Sequence, residues 1–246
     1  MMTTHLIISD VHEDIQSLNL LLDNYKGQFQ DIWLLGDVAG HSEHLNGAAD
    51  VVICYQILYE YHKQNRLTCV AGNWEKWAWS TSPSAFSVRW ENELNEVRKK
   101  ISDNELRDWI TGWPITDSRD DFTLTHGWID KLPDQKNSEL WETYLGEKYT
   151  DSVNLAFLFN RIHTPHALLG HTHNPGYFLH NEIEGQSKWI DLDSSLLGQE
   201  QKYQRSGIRY IFNPGSLSGA RSSRHNGLKT AILLDTDRKT FRFISL

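Results

Sequence analysis

The first seventy residues constrain the fold most. Three short apolar runs each end at a residue that can bind a cation: HLIIS meets Asp10, DIWLLGD ends at Asp37, and LTCVAGN ends at Asn73. Such runs read as buried strands. Between them, Ile15, Leu18, Leu21, Leu22 and Tyr25 recur at helical spacing, with Asp14 as N-cap and Gly27 just past the end. Val51, Val52, Cys54, Tyr55, Leu58 and Tyr61 mark a second helix. Strand, helix, strand, helix, strand in this order implies parallel pairing through right-handed crossovers.

The stretch from about 74 to 121 breaks the rhythm. It is Trp-rich and helical in pattern over Ala85–Ile110, with Pro83 and Pro114 as breakers, and it reads as an insert after the third strand. FTLTHG (122–127) resumes the strand pattern, helical patterns return near 139–145 and 153–161, and ALLGHTH (167–173) is a strand ending in two histidines. The remaining runs, GYFLHN, KWIDLD, RYIFN, TAILLD and TFRFIS, are strand-like, the last two joined as a hairpin around Asp235–Arg238. The expected fold class is α/β. A single domain over 1–246 would place two mixed β-sheets face to face, with helices outside both.

Composition removes several functions. The net charge of −8 argues against a chain-wide nucleic-acid or anionic-membrane surface. Two cysteines, Cys54 and Cys69, have no zinc-finger or disulfide-framework spacing. No signal peptide or apolar span is visible, so a soluble, cytoplasmic protein is expected, with no membrane or nucleic-acid duplex as partner.

Five strand-like runs end in polar groups of metal-binding type: Asp10-Val-His12, Gly36-Asp37, Gly72-Asn73, His126-Gly127 and Gly170-His171-Thr-His173. Ligand sites of open α/β sheets form at the carboxyl ends of strands. In D-x-H and H-x-H, two side chains two apart on an extended strand face the same way, so both can reach one ion. Each piece alone has a plain alternative, since D-x-H also caps and G-D or G-N also turns. The ordered set is what points to a metal centre.

That ordered set, D-x-H, G-D, G-N-x-[DE], H-G and G-H-T-H, resembles the calcineurin-like metallophosphoesterases, in particular their small YfcE-type phosphodiesterase branch. NPGSLSGAR (213–221) matches a late segment of that branch. The resemblance implies a four-layer fold and two metal ions. Asp10, His12 and His173 would hold metal one, Asn73, His126 and His171 metal two, and Asp37 would bridge them. It also implies attack on a phosphate ester by a metal-bridging hydroxide. Imidazole with carboxylate suits Mn, Fe, Zn, Co or Ni above Mg or Ca, and Mn is the expected ion.

The chain departs from the family at Gly72-Asn73-Trp74-Glu75, where relatives read G-N-H-[DE] and use that histidine as general acid. An indole cannot take that role. His41, four residues after Asp37, is a candidate replacement or else a surface histidine. Arg221 is a candidate phosphate clamp or else a surface ion pair. Eight of the ten tryptophans lie between Trp74 and Trp141. Most read as packing anchors, but Trp74 and Trp128 adjoin ligand motifs, and Trp74 is a candidate stacking face for a nucleobase or aryl group. Glu75 caps a helix or orients a ligand. The expected activity is phosphodiester hydrolysis of a small substrate, such as a nucleotide. The alternatives are a phosphomonoesterase acting on protein or dinucleotide polyphosphate, and a metal-bound scaffold with little turnover, which the superfamily's retromer subunit resembles.

Overall fold

The computed structural model describes residues 3–41, 50–79, 90–127, 159, 162–203, 206–218 and 227–246. The expected helix near 139–145, that near 153–161 except for Phe159, the part of the insert at 80–89, Trp128, Trp141 and Arg221 lie outside them.

Two mixed six-stranded sheets form the frame. In the first, β1 (Thr4–Ile8), β2 (Asp31–Leu34) and β3 (Leu67–Cys69) run parallel, and β11 (Thr230–Asp235), β12 (Thr240–Ser245) and β9 (Gln201–Lys202) continue antiparallel from β1, in the order β3-β2-β1-β11-β12-β9. In the second, β5 (Phe122–Thr125), β6 (His166–Leu169) and β10 (Ile208–Asn213) are parallel. They are flanked by β4 (Thr116–Arg119) and by the β7 (Gly176–Asn181) and β8 (Gln186–Asp191) hairpin, in the order β4-β5-β6-β10-β7-β8.

Alternation along β1 shows how the layers arise. Leu6 and Ile8 point outward to a core shared with α1 (Ile15–Asn24), α2 (Val51–Lys63), α3 (Asn73–Trp79), α4 (Glu91–Lys100) and α5 (Asn104–Thr111). Ile7 points the other way, to a core between the sheets with Trp33, Phe122, Leu168, Phe212 and Phe243. A strand buried on both faces has no polar alternation, which is why β1 and β2 read as continuous apolar runs. Phe159 and Ile162 pack on the far face of the second sheet with Leu169, Phe178 and Ile211.

The Asp14 carboxylate caps α1 through Ser17 N (3.0 Å), and Asp50 caps α2 through Ile53 N (3.0 Å). The insert is only partly helical. Its end, Thr116–Arg119, pairs with β5 as an edge strand. TDSR carries no apolar alternation because that edge is half-exposed. No helix among the described residues is long and apolar enough to cross a membrane.

Candidate metal centre

All seven residues of the motif set follow the carboxyl ends of parallel strands. Asp10 and His12 follow β1, Asp37 follows β2, Asn73 follows β3 and opens α3, His126 follows β5, and His171 and His173 follow β6. Because β1–β3 belong to one sheet and β5 and β6 to the other, the loops meet across the top of the sandwich. The loops after β1 and β2 are stitched together by Asp10 N donating to Gly36 O (3.0 Å) and His12 N donating to Asp37 O (3.1 Å).

The backbone here is not extended. Asp10, His12, Asp37, His171 and His173 all have positive φ, between 45° and 70°. Non-glycine residues adopt that region at a cost of about 1–3 kcal/mol each and concentrate at functional sites. This corrects the expectation that residues two apart serve one ion from a strand. Asp10 and His12 do share a group, with His173, but His171 joins Asp37 and His126. The two histidines of G-H-T-H fall in different groups, the division the family resemblance implies, while Asp10 and His12, with left-handed φ as well, share one.

Donor atoms converge within each group. His12 Nε2 stands 3.1 Å from His173 Nε2, and Asp10 Oδ1 stands 3.1 Å from His173 Nε2 and 3.6 Å from His12 Nε2. In the other group, His126 Nε2 stands 3.2 Å from Asp37 Oδ2 and 3.2 Å from Asn73 Oδ1. His171 Nδ1 stands 3.0 Å from the same Asn73 oxygen and 3.3 Å from His126 Nε2. Ligands at about 2.1 Å from a cation are separated by about 3.0–3.4 Å along the edges of an octahedron or tetrahedron. All of these spacings but the 3.6 Å between Asp10 and His12 match those edges.

The outer hydrogen bonds aim the rings. His12 Nδ1 donates to Ala39 O (2.9 Å) and His126 Nδ1 to Leu35 O (2.6 Å), which leaves each Nε2 lone pair facing inward. Asp10 Oδ2 accepts from Ser9 Oγ (2.6 Å) and His171 N (3.0 Å). Its Oδ1 is buried and too poorly aligned with the histidine nitrogens to accept a hydrogen bond. A buried carboxylate oxygen without a hydrogen bond, ringed by inward-facing imidazoles, fits a divalent cation and is costly otherwise.

The electrostatics say the same. Burial by itself lowers His126, but Asp37 and Asp10 outweigh it and lift the imidazole to about 9. Burial likewise opposes His12, and the neighbouring Asp10 and Asp37 carboxylates overcome it. Burial depresses His173, and burial together with the His126 charge drives His171 well below the imidazole range. Asp10, which burial would raise, is held well below the carboxylate range by His173 and His126. Two carboxylates in this pocket demand positive charge, and four imidazoles cannot all supply it as protons.

Two glycines are required by close approach. A Cβ on Gly72 would sit 2.1 Å from Asp37 Oδ1, and one on Gly170 would sit 2.1 Å from Ser9 Oγ and 3.1 Å from Asp10 Oδ2. Glu75 is 2 % exposed and ties the loops after β2 and β3 together. Its carboxylate accepts from Asp37 N (2.9 Å), Val38 N (2.9 Å), Gly72 N (2.8 Å) and Tyr55 Oη (2.7 Å).

His41 is buried rather than on the surface. Its ring stands edge-on to His12 (centroids 4.8 Å), Trp74 (5.0 Å) and Trp90 (5.1 Å). Trp74 is 1 % exposed, and its indole lies where a Cβ on Gly40 would fall 2.2 Å away. It packs in the core and presents no open face for stacking. Ser9 was not visible as a functional residue, since a serine before an aspartate carries no signal of its own.

A family model, the calcineurin-like phosphoesterase superfamily domain, matches residues 3–239. The chain belongs to that superfamily. The fold is similar to the crystal structure of a metallophosphoesterase from Sphaerobacter thermophilus (TM-score 0.73, 21% identity, covering 100% of this chain and 89% of that one). It is also similar to a hypothetical protein from Pyrococcus horikoshii (TM-score 0.60, 12% identity, 100% and 88% covered). Yfce, a phosphoesterase from E. coli, aligns over 96% of this chain and 90% of its own at TM-score 0.45 and 16% identity. No curated protein sequence matches the chain.

Proposed function

We propose that this superfamily member is a dinuclear, metal-dependent phosphodiesterase. The observation that carries the reading is the pair of donor groups, Asp10, His12 and His173 beside Asp37, His126 and His171, each with its nitrogen and oxygen atoms converging. Asn73 Oδ1 completes the second group. His126 Nε2 stands 3.9 Å from Asp10 Oδ1, which brings the groups close enough for Asp37 to serve both. Mixed imidazole and carboxylate donors favour a transition ion, Mn above Mg or Ca. Two such ions, when bound, supply Lewis acidity at phosphorus and an acidified water as nucleophile.

The protein's own groups do the rest. The carboxylates and imidazoles fix the positions at which a phosphate is held. The Nδ1 hydrogen bonds of His12 and His126 keep their lone pairs inward, and Glu75 holds the Asp37 loop in register with Gly72. His41, buried beside His12, is the candidate to donate a proton to the leaving oxygen in place of the family histidine whose position Trp74 takes. Arg221 would clamp a non-bridging phosphate oxygen. Missing the usual acid favours substrates with good leaving groups, because protonating a poor one is worth about 10²–10⁴-fold. The natural substrate would be a small phosphate ester, such as a nucleotide.

The test is a substrate panel with Mn²⁺-loaded protein. Bis-nitrophenyl phosphate should turn over faster than nitrophenyl phosphate, and alkyl esters should be slowest. His41→Ala should lower kcat and remove one limb of its pH profile. Faster turnover of the monoester would move the reading to a phosphomonoesterase. Tight metal binding with no hydrolysis of any activated ester would move it to a scaffold.

A further inference from the structure

The turn after β10 does more for the metal centre than its distance from the ligands suggests. Asn213 ends β10, which pairs parallel with β6, so its side chain arrives beside the loop that carries His171 and His173. Asn213 is fully buried. Its Nδ2 donates to Gly170 O (3.0 Å) and to Thr172 Oγ1 (3.1 Å), the residues on either side of His171. Its Oδ1 accepts from Gly215 N (2.8 Å), which fixes the amide orientation. Two donors and one acceptor on so short a side chain is an asparagine's set; aspartate would turn a second acceptor on the Gly170 carbonyl.

The same turn grips the first ligand loop. Ser216 Oγ donates to Asp10 O (2.9 Å), Leu217 N donates to Ser9 O (3.2 Å) and Ser218 N donates to Asp10 O (3.4 Å). Asp10 and His171 come from different sheets and belong to different donor groups. They are joined directly by one bond, His171 N to Asp10 Oδ2 (3.0 Å). We propose that Asn213–Ser218 is a clamp that sets the distance between the two cation positions, with Asn213 and Ser216 as its positioning residues. The proposal rests on the two-cation reading above. It predicts that metal affinity, not only folding, depends on side chains that touch no ligand atom of the site.

Equilibrium Mn²⁺ binding, and the visible absorption of the Co²⁺ form, should be measured at a temperature where each variant is folded by circular dichroism. Asn213→Ala and Ser216→Ala should each weaken binding by about 10–100-fold, the usual effect of removing a group that orients a metal ligand. Thr172→Val, which removes one of Asn213's two acceptors while keeping a β-branched side chain, should fall between them and the parent. It carries the test should Asn213→Ala not fold. Asn181→Ala is the control, because Asn181 Oδ1 also holds two backbone amides, Ile183 N (3.0 Å) and Glu184 N (3.3 Å), but in the β7–β8 turn. It should leave affinity unchanged whatever it does to the melting temperature. Folded clamp variants that bind two Mn²⁺ as tightly as the parent overturn the proposal. A parent protein that binds neither Mn²⁺ nor Co²⁺ overturns the two-cation reading beneath it as well.

Discussion

Glu75 offers a perturbation whose cost follows from its geometry. Oε2 accepts from Asp37 N and Gly72 N, and Oε1 accepts from Val38 N and Tyr55 Oη, all at 2.7–2.9 Å. In Glu75→Gln the amide NH₂ must occupy one of those two places. Facing Asp37 and Gly72 it strands two buried N–H donors. Facing Val38 and Tyr55 it strands one, because the tyrosine hydroxyl can turn and accept. The second orientation wins, and a stranded buried donor costs about 1–3 kcal/mol, with the lost charge assistance adding about 1 more. We expect a loss of about 2–4 kcal/mol, which is about 4–16 °C in Tm for a chain of this size. Glu75→Ala strands all three amides and should exceed it. Tyr55→Phe removes only the hydroxyl, leaving Val38 N on Oε1, and should cost about 1 kcal/mol. Thermal melts of the three variants, with Mn²⁺ titrations below the melt, test this order. Glu75→Gln keeps an acceptor on Asp37 N and should leave affinity near that of the parent, whereas Glu75→Ala removes the bond that holds Asp37 N and should weaken Mn²⁺ binding. A Glu75→Gln protein that melts within a degree or two of the parent, or a folded Glu75→Ala protein that binds Mn²⁺ equally, would refute the reasoning.

Other perturbations give separate checks. Gly170→Ala drives a methyl into Ser9 Oγ and against Asp10 Oδ2, so it should abolish high-affinity Mn²⁺ binding; a variant that binds normally would show that the loop has room. Mn²⁺ at 100 times its Kd should stabilise the protein by about 2.7 kcal/mol, an effect that chelation or Asp10→Asn removes. An unchanged Tm on chelation would count against the site. Burial depresses His166 to about 4, and its Nδ1 accepts from Tyr210 N (3.2 Å). An unfolded histidine titrates near 6.5, so between those values the unfolded chain takes up the proton first. The stabilisation is complete above about pH 6.5 and is lost as pH falls toward 4, by about 3 kcal/mol. Urea unfolding at pH 7 and pH 4.5 should show this slope in the parent and a flatter one in His166→Gln; equal slopes would exclude His166 as its source.

How much was legible in the sequence depends on where the burial lies. β1 and β2 are buried on both faces, so Leu6, Ile7 and Ile8 appear as an unbroken apolar run, and the polar residue that ends it marks the sheet's carboxyl edge. A candidate cation site at such an edge leaves its residue types in view, which is why the seven residues stand out at their spacings. β4 is the opposite case. Thr116–Arg119 gains its strand state from pairing with β5 at an edge, a tertiary cause with no pattern in four polar residues. The direction of each side chain was hidden from spacing alone. Two-residue spacing would let His171 and His173 share an ion, whereas the family resemblance implied the division between groups that the fold displays. Nothing short of the fold shows that an asparagine 42 residues beyond His171 brackets it. Ligand identity can be read along the chain because it is chemistry. Side-chain orientation is a property of main-chain contacts between loops far apart in sequence, such as those Glu75, Ser216 and Asn213 make with the loops after β1, β2, β3 and β6, and residue type alone does not separate such a group from a ligand.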